Sequence, residues 1–497
     1  MRTLQSFNAR TGEAIGEPLP ASTPEQIDAA AEAAAQTFAD WSSSDGMRRG
    51  ALLRGLAAAL DSDRVALVTL ADQETGLGLV RLNGELDRTT FQLRRFADIA
   101  ERGVPFAHVN DPAMPGPPPA GHPAMVRQQV PLGPVAMFSA SNFPFAFSVL
   151  GGDTASALAA GCSVVVKAHT GHLLLSARVF ARVQQVLKEQ GLPAGLVGMV
   201  QGSGHEVGVR LVRHPAIAAG AFTGSTRGGA ALQAEASARP RPIPFYGELG
   251  SINPVVVLPG ALGTRGAELA ATLAGSITLG CGQFCTSPGV IVLVDGGPHD
   301  TDTAANDAFV DHLRTALAAQ QPHPMLTEAM RQAFDRGVAH QQQAGAVALL
   351  AEPSGGRAPR PFLAQVSAEG FVASAVLREE VFGPSSLIVR AGSMAQVRQV
   401  LDAVGGSLTV TLWGAEAESD DTRALVRAAM AVAGRVLFAG VPTGVAVTAA
   451  QQHGGPWPSS TQPMSTSVGD AALSRFLRPV ALQDAPAWLN ARAGRPC

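Results

Sequence analysis

Gly161-Cys-Ser163-Val-Val-Val-Lys167-Ala-His-Thr170 is a short β-branched run that closes on a lysine and stands between two stretches of helical periodicity. The helix before it covers about Phe147 to Ala160; the one after it runs from Leu173 to Gln190, where Gly191 and Pro193 stop it. A strand with a helix on either side pairs in parallel through crossovers rather than through a hairpin. The alternation continues outward, with strands at Val135 to Phe138, Leu196 to Val200, Ile217 to Phe222 and Pro244 to Tyr246, and helices at Glu206 to Arg213 and Arg227 to Ala238. Repeated β-α-β predicts a mostly parallel sheet covered by helices on both faces.

A second α/β series starts at Pro254-Val-Val-Val-Leu258. It continues through helix Ala267 to Leu279, strand Val290 to Val294, helices at Asp307 to Ala319 and Glu328 to Gln343, strand Ser386 to Val389, helix Met394 to Val404, strand Leu408 to Leu412, helix Ala417 to Ala433 and strand Arg435 to Phe438. The expected fold class is therefore α/β, with two stacked, doubly wound α/β domains. Ahead of the first series, a hairpin around Asn8 to Gly16 leads to Thr23-Pro-Glu-Gln26, which supplies an N-cap, a first-turn proline and a capping-box glutamine for a helix reaching Trp41. Helices at Met47 to Leu60, Arg64 to Thr75 and Glu85 to Glu101 follow, and the Pro/Gly stretch Asp111 to Pro123 reads as a surface linker. The tail Ser474 to Leu482 reads as a lone strand, which needs a sheet edge, expected in another subunit.

The 497 residues exceed what one hydrophobic core holds, and 46% hydrophobic against 15% charged residues describes a globular chain. A formal charge of −3 supplies no basic field for nucleic acid or an anionic membrane. Four cysteines in so long a chain do not make a disulfide framework, and no apolar run is long enough to span a bilayer. The expectation is a cytoplasmic protein whose partners are small molecules and copies of itself.

Chemistry concentrates in a few places. Cys281-Gly-Gln-Phe-Cys285-Thr-Ser-Pro-Gly289 lies between a helix and a strand, where a turn can present Cys285 to a pocket; its plain alternative is a buried small hydrophobe. No second Cys/His pair follows at ligand spacing, so no metal is expected. Glu248, between Gly247 and Gly250, suits either a base that activates water or a structural ion pair. Asn142, after a strand, can stabilise an oxyanion or cap a turn. Lys167 can meet ribose or phosphate at its strand end or stay solvated, and Phe222-Thr-Gly224-Ser225-Thr-Arg-Gly-Gly229 sits where a phosphate-binding turn belongs.

Together, Asn142, Lys167, Gly224-Ser-Thr226, Glu248-Leu-Gly250, Cys285 and Glu380-Val-Phe382-Gly-Pro384 resemble, in order and spacing, the motifs of the aldehyde dehydrogenase superfamily, and the resemblance extends to Asn8-Ala-Arg-Thr-Gly-Glu13 and the tail. It implies that Cys285 is the nucleophile forming a thiohemiacetal and then a thioester, that Asn142 holds the oxyanion, and that Glu248 activates the water releasing the acid. Lys167 and Glu380 are similar to the family's ribose ligands, Phe382 to the residue near the nicotinamide ribose, and Ser225 to the hydroxyl at the pyrophosphate, with Gly224 and Gly229 in the same turn. The implied domains are 1–124 with 135–252 for nucleotide, 253–440 for catalysis, and oligomerisation strands at 125–134 and 470–497, in a homodimer or homotetramer.

Ser251-Ile-Asn253-Pro254, Gly440-Val-Pro-Thr-Gly444 and His453-Gly-Gly-Pro-Trp-Pro-Ser-Ser460 look like the branch of ketoglutarate semialdehyde (2,5-dioxopentanoate) dehydrogenases and bacterial NADP-dependent aldehyde dehydrogenases. Thr170 stands where many NAD-preferring relatives carry a carboxylate, so NADP is expected to be accepted, with NAD also used. His205 stands in the loop where some NADP-specific relatives add an arginine. Phe145, Phe284 and Trp457 are candidate funnel walls, each equally readable as a core aromatic, and His453 is readable as a funnel or a buried residue. Neither Phe143 to Leu150 nor Ser276 to Phe284 holds an arginine for a substrate carboxylate, so a fatty or aromatic aldehyde stays open. A catalytically silent nucleotide-binding scaffold would not need both Cys285 and Glu248, and a cysteine hydrolase would leave the nucleotide motifs unexplained.

Overall fold

A computed structural model describes residues 2–203, 205–263, 265–295, 301–353 and 355–490. The chain opens with the hairpin β1 (Thr3–Phe7) and β2 (Ala14–Pro20), followed by α1 (Pro24–Trp41), α2 (Gly46–Ser62), α3 (Arg64–Thr75) and α4 (Leu79–Arg102). The capping box forms at α1: the Gln26 N–H donates to Thr23 Oγ1 at 3.3 Å and the Thr23 N–H to Gln26 Oε1 at 2.9 Å. Leu52, Leu53, Leu56 and Leu60 form the buried face of α2, and each contributes about 1.5–3 kcal/mol relative to exposure. Helix α4 starts nearly two turns before the expected Glu85, because Gly78 rather than a polar cap admits the chain.

Strands β3 (Val109–Asp111) and β4 (Met125–Pro131) flank the expected linker, which is exposed and closed by a single bridge between Met114 and His122. Then β5 (Val135–Phe138), α5 (Gly152–Ala160), β6 (Val164–Lys167), α6 (Leu173–Glu189), β7 (Val197–Val200), α7 (His205–Arg213), β8 (Ala219–Thr223), α8 (Thr226–Ser237) and β9 (Phe245–Glu248) alternate as expected. They build a parallel five-stranded sheet in the order β7-β6-β5-β8-β9. Its order reverses beside β5, and the C-terminal ends Phe138, Lys167 and Phe222 lie in register there, which makes the crevice where ligands gather in such sheets. The helix expected from Phe147 starts only at Gly152, because the Phe145 and Ala146 N–H groups are drawn to Glu85 Oε1 at 2.8 and 3.0 Å.

The second sheet contains β10 (Val255–Val257), β11 (Val290–Val294), β12 (Val347–Ala351), β13 (Phe362–Ser367), β14 (Ser385–Ala391), β15 (Ser407–Trp413) and β16 (Ala433–Leu437) in the order β12-β13-β14-β11-β10-β15-β16. Its pairings are parallel except at the edge pair β12/β13. All five residues of the central Val-Ile-Val-Leu-Val strand β11 are buried, as a strand covered on both faces requires. Strands β12 and β13 have no counterpart in the sequence reading; β12 is a largely exposed edge without strict alternation. The tail strand β17 (Leu477–Gln483) corrects one expectation: it pairs antiparallel with β4 of its own chain, from Leu477 against Pro131 to Gln483 against Met125. Residues 491–497 of the expected tail segment, Cys497 among them, lie outside the described residues.

Candidate active site

Helix α9 (Gly266–Thr278) ends just before three consecutive left-handed residues, Gly280, Cys281 and Gly282, with φ of 56°, 61° and 65°. A Cβ on Gly282 would collide with the Gly383 carbonyl, so only glycine lets this turn pass the Glu380-to-Pro384 motif. Cys281 is therefore a turn residue buried in the second sheet's core, and burial pushes its thiol up to about 12.

Buried amides hold the turn. The Gln283 side chain spans from the Gly280 carbonyl at 3.0 Å to the Leu326 N–H at 3.1 Å. The Gln283 carbonyl accepts from Asn142 Nδ2 at 2.9 Å, leaving a second amide hydrogen on that nitrogen. Asn253, fully buried at φ 44°, donates through Nδ2 to the carbonyls of Cys285 (2.8 Å) and Ser287 (2.9 Å). Its Oδ1 accepts from Ser251 and Thr409 hydroxyls at 2.8 and 3.1 Å. A residue held in that backbone conformation with its amide fully satisfied fixes the backbone on which Cys285 sits.

Three reactive groups meet there. His453 Nε2 lies 3.5 Å from Cys285 Sγ and 2.9 Å from Glu248 Oε1. The Ser467 hydroxyl donates to Glu248 Oε2, and the Ser467 N–H donates to the His453 carbonyl at 2.8 Å. Burial raises the Cys285 thiol well above its ordinary value, and the Glu248 charge adds to this. Burial would raise Glu248 as well, but the neighbouring His453, the Ser467 hydroxyl and the Cys285 thiol outweigh it and hold the carboxyl low. The arrangement pairs a protonated thiol with an ionised carboxylate and places an imidazole against both. These ligand-type atoms also lie within 4.8 Å of one another, but 2.9 Å between nitrogen and oxygen is a proton-transfer distance, shorter than the roughly 3.4 Å edge of a tetrahedral zinc site.

Beyond this cluster lies a crevice with the shape and donors a dinucleotide needs. A cavity of about 600 Å³ is lined by Phe138, Lys167, His169, His205, Ser225 and Arg227, and one of about 670 Å³ by Ser225, Arg227, Gly250, Glu380, Phe382 and Pro458. They share Ser225 and Arg227, so the helix α8 N-terminus, capped by Ser225 Oγ at 3.2 Å from the Gly228 N–H, stands where they join. A Cβ on Gly250 would collide with Glu380 Oε2, and one on Gly229 with Leu249, so both glycines keep the crevice open and α8 close. A Cβ on Gly224 would stand 2.8 Å from the Phe222 ring. Burial lowers Lys167 to about 8 and raises Glu380 to about 7, the latter offset in part by the Ser251 N–H. Thr170 is placed differently: it lines a separate cavity of about 240 Å³ with Gly12, Glu328 and Arg357, while His169 faces the crevice with Lys167.

The aromatics divide. Phe284 packs edge-on against Phe143 at 5.1 Å, and the Arg81 guanidinium lies over both rings, 5.0 Å from Phe143 and 4.6 Å from Phe284. Arg81 Nη2 also donates to the Asn142 carbonyl at 2.6 Å. Phe145 is a core residue of the first sheet's cluster, which corrects its reading as a funnel wall; the turn that ties its N–H to Glu85 points the ring inward. Trp457 is 54% exposed, and its carbonyl accepts the Gly406 N–H at 3.0 Å on the side where Gly406 and Pro458 line the crevice. Phe143, Arg81 and Asn253 escaped the sequence reading as site residues. Asn253 left a signal, a polar residue before proline at the head of a buried strand.

The sequence profile of the Aldehyde dehydrogenase family matches residues 1–478. The chain is 42% identical to alpha-ketoglutaric semialdehyde dehydrogenase 2 of Azospirillum brasilense, over 97% of this chain and 92% of that protein. It is 39% identical to the alpha-ketoglutaric semialdehyde dehydrogenase of Acinetobacter baylyi, over 97% and 91%. Among solved structures, aldehyde dehydrogenase 21 of Physcomitrella patens superposes with a TM-score of 0.81 at 19% identity, covering 98% of this chain and 96% of that one. An NAD-dependent aldehyde dehydrogenase of Sinorhizobium meliloti gives 0.80 at 21% identity, over 98% and 92%. The two superpositions bear on the fold.

Proposed function

The chain belongs to the aldehyde dehydrogenase family, and from that premise we propose that it oxidises α-ketoglutaric semialdehyde (2,5-dioxopentanoate) to 2-oxoglutarate. The observation that carries the reading is the Cys285–His453–Glu248 cluster, its histidine and glutamate buried, taken with a crevice lined by Lys167, Ser225, Glu380 and Phe382. The identity to two semialdehyde dehydrogenases along nearly the whole chain supports the substrate. The reading treats the first sheet as the nucleotide-binding unit and the second as the catalytic one.

In this mechanism His453 Nε2 accepts the Cys285 proton, overcoming a thiol that burial and Glu248 hold protonated, and the Glu248 carboxylate steadies the resulting imidazolium. The thiolate adds to the aldehyde carbon. The free hydrogen of Asn142 Nδ2 then faces the developing oxyanion on the thiohemiacetal. A nicotinamide coenzyme, when bound, supplies the hydride acceptor. Lys167 and Glu380 would hold its riboses, Ser225 and the α8 N-terminus its pyrophosphate, and Phe382 the nicotinamide end. Once the thioester has formed, the ionised Glu248, oriented by Ser467, takes a proton from water so that hydroxide attacks the acyl carbon and Cys285 leaves.

NADP is the preferred coenzyme in this reading, with NAD also used. Arg227 and His205 line the crevice beside Lys167 and offer donors for a 2′-phosphate, which shifts the basis of the preference from Thr170 to these two residues. The chain works as a homodimer or homotetramer, with the β17-β4-β3 sheet as the contact element. Turnover of 2,5-dioxopentanoate, pentanal and benzaldehyde with each coenzyme tests this: a kcat/KM for 2,5-dioxopentanoate at least tenfold above the others supports the reading, and a preference for either neutral aldehyde refutes it.

A further inference from the structure

Helix α4 carries Arg81, Glu85, Arg88 and Gln92 at spacings of four, three and four, which places them on one helix face. Glu85 and Gln92 are buried, Arg81 and Arg88 are half-buried, and each of these side chains keeps a buried polar atom without a hydrogen bond: Arg81 Nη1, Glu85 Oε2, Arg88 Nε and Nη2, and Gln92 Nε2. A buried polar atom that finds no partner is destabilising, so a run of them on one face calls for an occupant.

Arg88 is the most telling. Its Nη1 donates to the Val445 carbonyl at 2.6 Å, and its guanidinium lies 5.7 Å from the Phe147 ring centre, so the group is held in place. What remains free is the Nε–Nη2 edge. The same edge binds carboxylates two-pronged elsewhere in this chain: Arg178 on Asp63 (2.7 and 2.7 Å) and Arg265 on Glu268 (3.0 and 2.9 Å). Arg88 lies within electrostatic reach of both Cys285 and Glu248, and its charge eases the ionisation of the thiol. Phe147, beneath it, packs on Phe143, which packs on Phe284 beside the sulfur. Glu85, the acidic member of the face, has Oε1 committed to the Phe145 and Ala146 N–H groups and stands 3.9 Å from Arg81.

We propose that the free Nε–Nη2 edge of Arg88 binds the carboxylate at the far end of the substrate while the aldehyde meets Cys285. The assignment rests on the semialdehyde reading above and names the residue by which that substrate is chosen over a neutral aldehyde of the same length. It makes Arg88 a specificity residue. The chemistry it recognises is a planar carboxylate with two oxygens to offer, which pentanal lacks.

The test compares kcat/KM for 2,5-dioxopentanoate and for pentanal in the wild type, Arg88→Gln and Arg88→Lys. The expected result is a fall of about a hundredfold or more in the acid-to-neutral ratio for Arg88→Gln, carried by KM, with partial recovery in Arg88→Lys, which keeps the charge but not the fork. A ratio equal to the wild type's, whether both substrates suffer alike or neither does, overturns the proposal. Should Arg88→Gln not fold, phenylglyoxal labelling of the wild type with peptide mapping decides: protection of Arg88 by 2-oxoglutarate supports the proposal and labelling unaffected by it overturns it. The two failures are distinguishable. A wild type that prefers pentanal refutes the semialdehyde reading itself, whereas a wild type that prefers the acid with a ratio indifferent to position 88 refutes only the role of Arg88.

Discussion

His453 Nε2 stands 3.5 Å from the Cys285 sulfur and 2.9 Å from Glu248 Oε1, so one buried imidazole faces both the thiol and the carboxylate. Because burial and the Glu248 charge raise the thiol, the proposed mechanism makes that imidazole the route by which the proton leaves. In His453→Asn, alkylation of Cys285 by iodoacetamide at neutral pH is expected to slow at least tenfold and to recover only at higher pH. Its kcat/KM is expected to fall about a hundredfold to a thousandfold. An alkylation profile that coincides with the wild type's would remove His453 from the proton path.

Asn253 adopts a left-handed backbone and spends its side chain on the Cys285 and Ser287 carbonyls. Asn253→Gly relieves the backbone but loses the bonds; Asn253→Ala keeps the strain and loses them too. Urea unfolding should show about 2–4 kcal/mol of destabilisation for Ala and about 1 kcal/mol less for Gly. Both should lower kcat. Equal stability of the two variants would mean that the φ of 44° carries no cost.

Gly250 has Glu380 and Thr226 against the space a side chain would fill. Gly250→Ala is expected to displace the Glu380 carboxylate and weaken coenzyme binding about tenfold, as read by quenching of protein fluorescence, with the Cys285 alkylation rate preserved. Unchanged coenzyme affinity would show that Glu380 is not a ligand.

Lys167 is lowered to about 8 by burial. In the proposed role its charged form is the stronger partner for ribose or phosphate, so coenzyme affinity should be full below that value and decline as pH rises through it. In Lys167→Met the affinity should be low and this decline absent. Titrations of the two proteins between pH 6.5 and pH 9.5 check the sign, and a wild-type affinity that rises with pH contradicts it.

The α/β alternation could be read from sequence because β5, β6 and β11 are continuous apolar strands between helices with visible stops, and the Thr23/Gln26 capping box is a local signal. Edge strand β12 carries neither signal. The motif residues Cys285, Glu248 and Asn142 were recognisable and do come together, since each lies at a strand end or turn that the sheets bring to one place. What could not be read was which contacts arrive from far along the chain: that His453, from a glycine-rich loop, meets Cys285, and that Arg81 and Arg88 come in from a helix that starts before its expected first residue. Thr170 shows the converse, a residue one position from His169 that the turn directs into a different cavity.

The division of labour between Cys285 and Glu248 is the centre of the account, and rapid mixing of Glu248→Gln with 2,5-dioxopentanoate and NADP tests it most directly. The expected trace is a burst of reduced nicotinamide absorbance close to one equivalent per active site, followed by a steady rate at least a hundredfold below the wild type's, with an acyl group recovered on the Cys285 peptide. A linear trace with wild-type turnover, or a burst with no acyl group on Cys285, would contradict it.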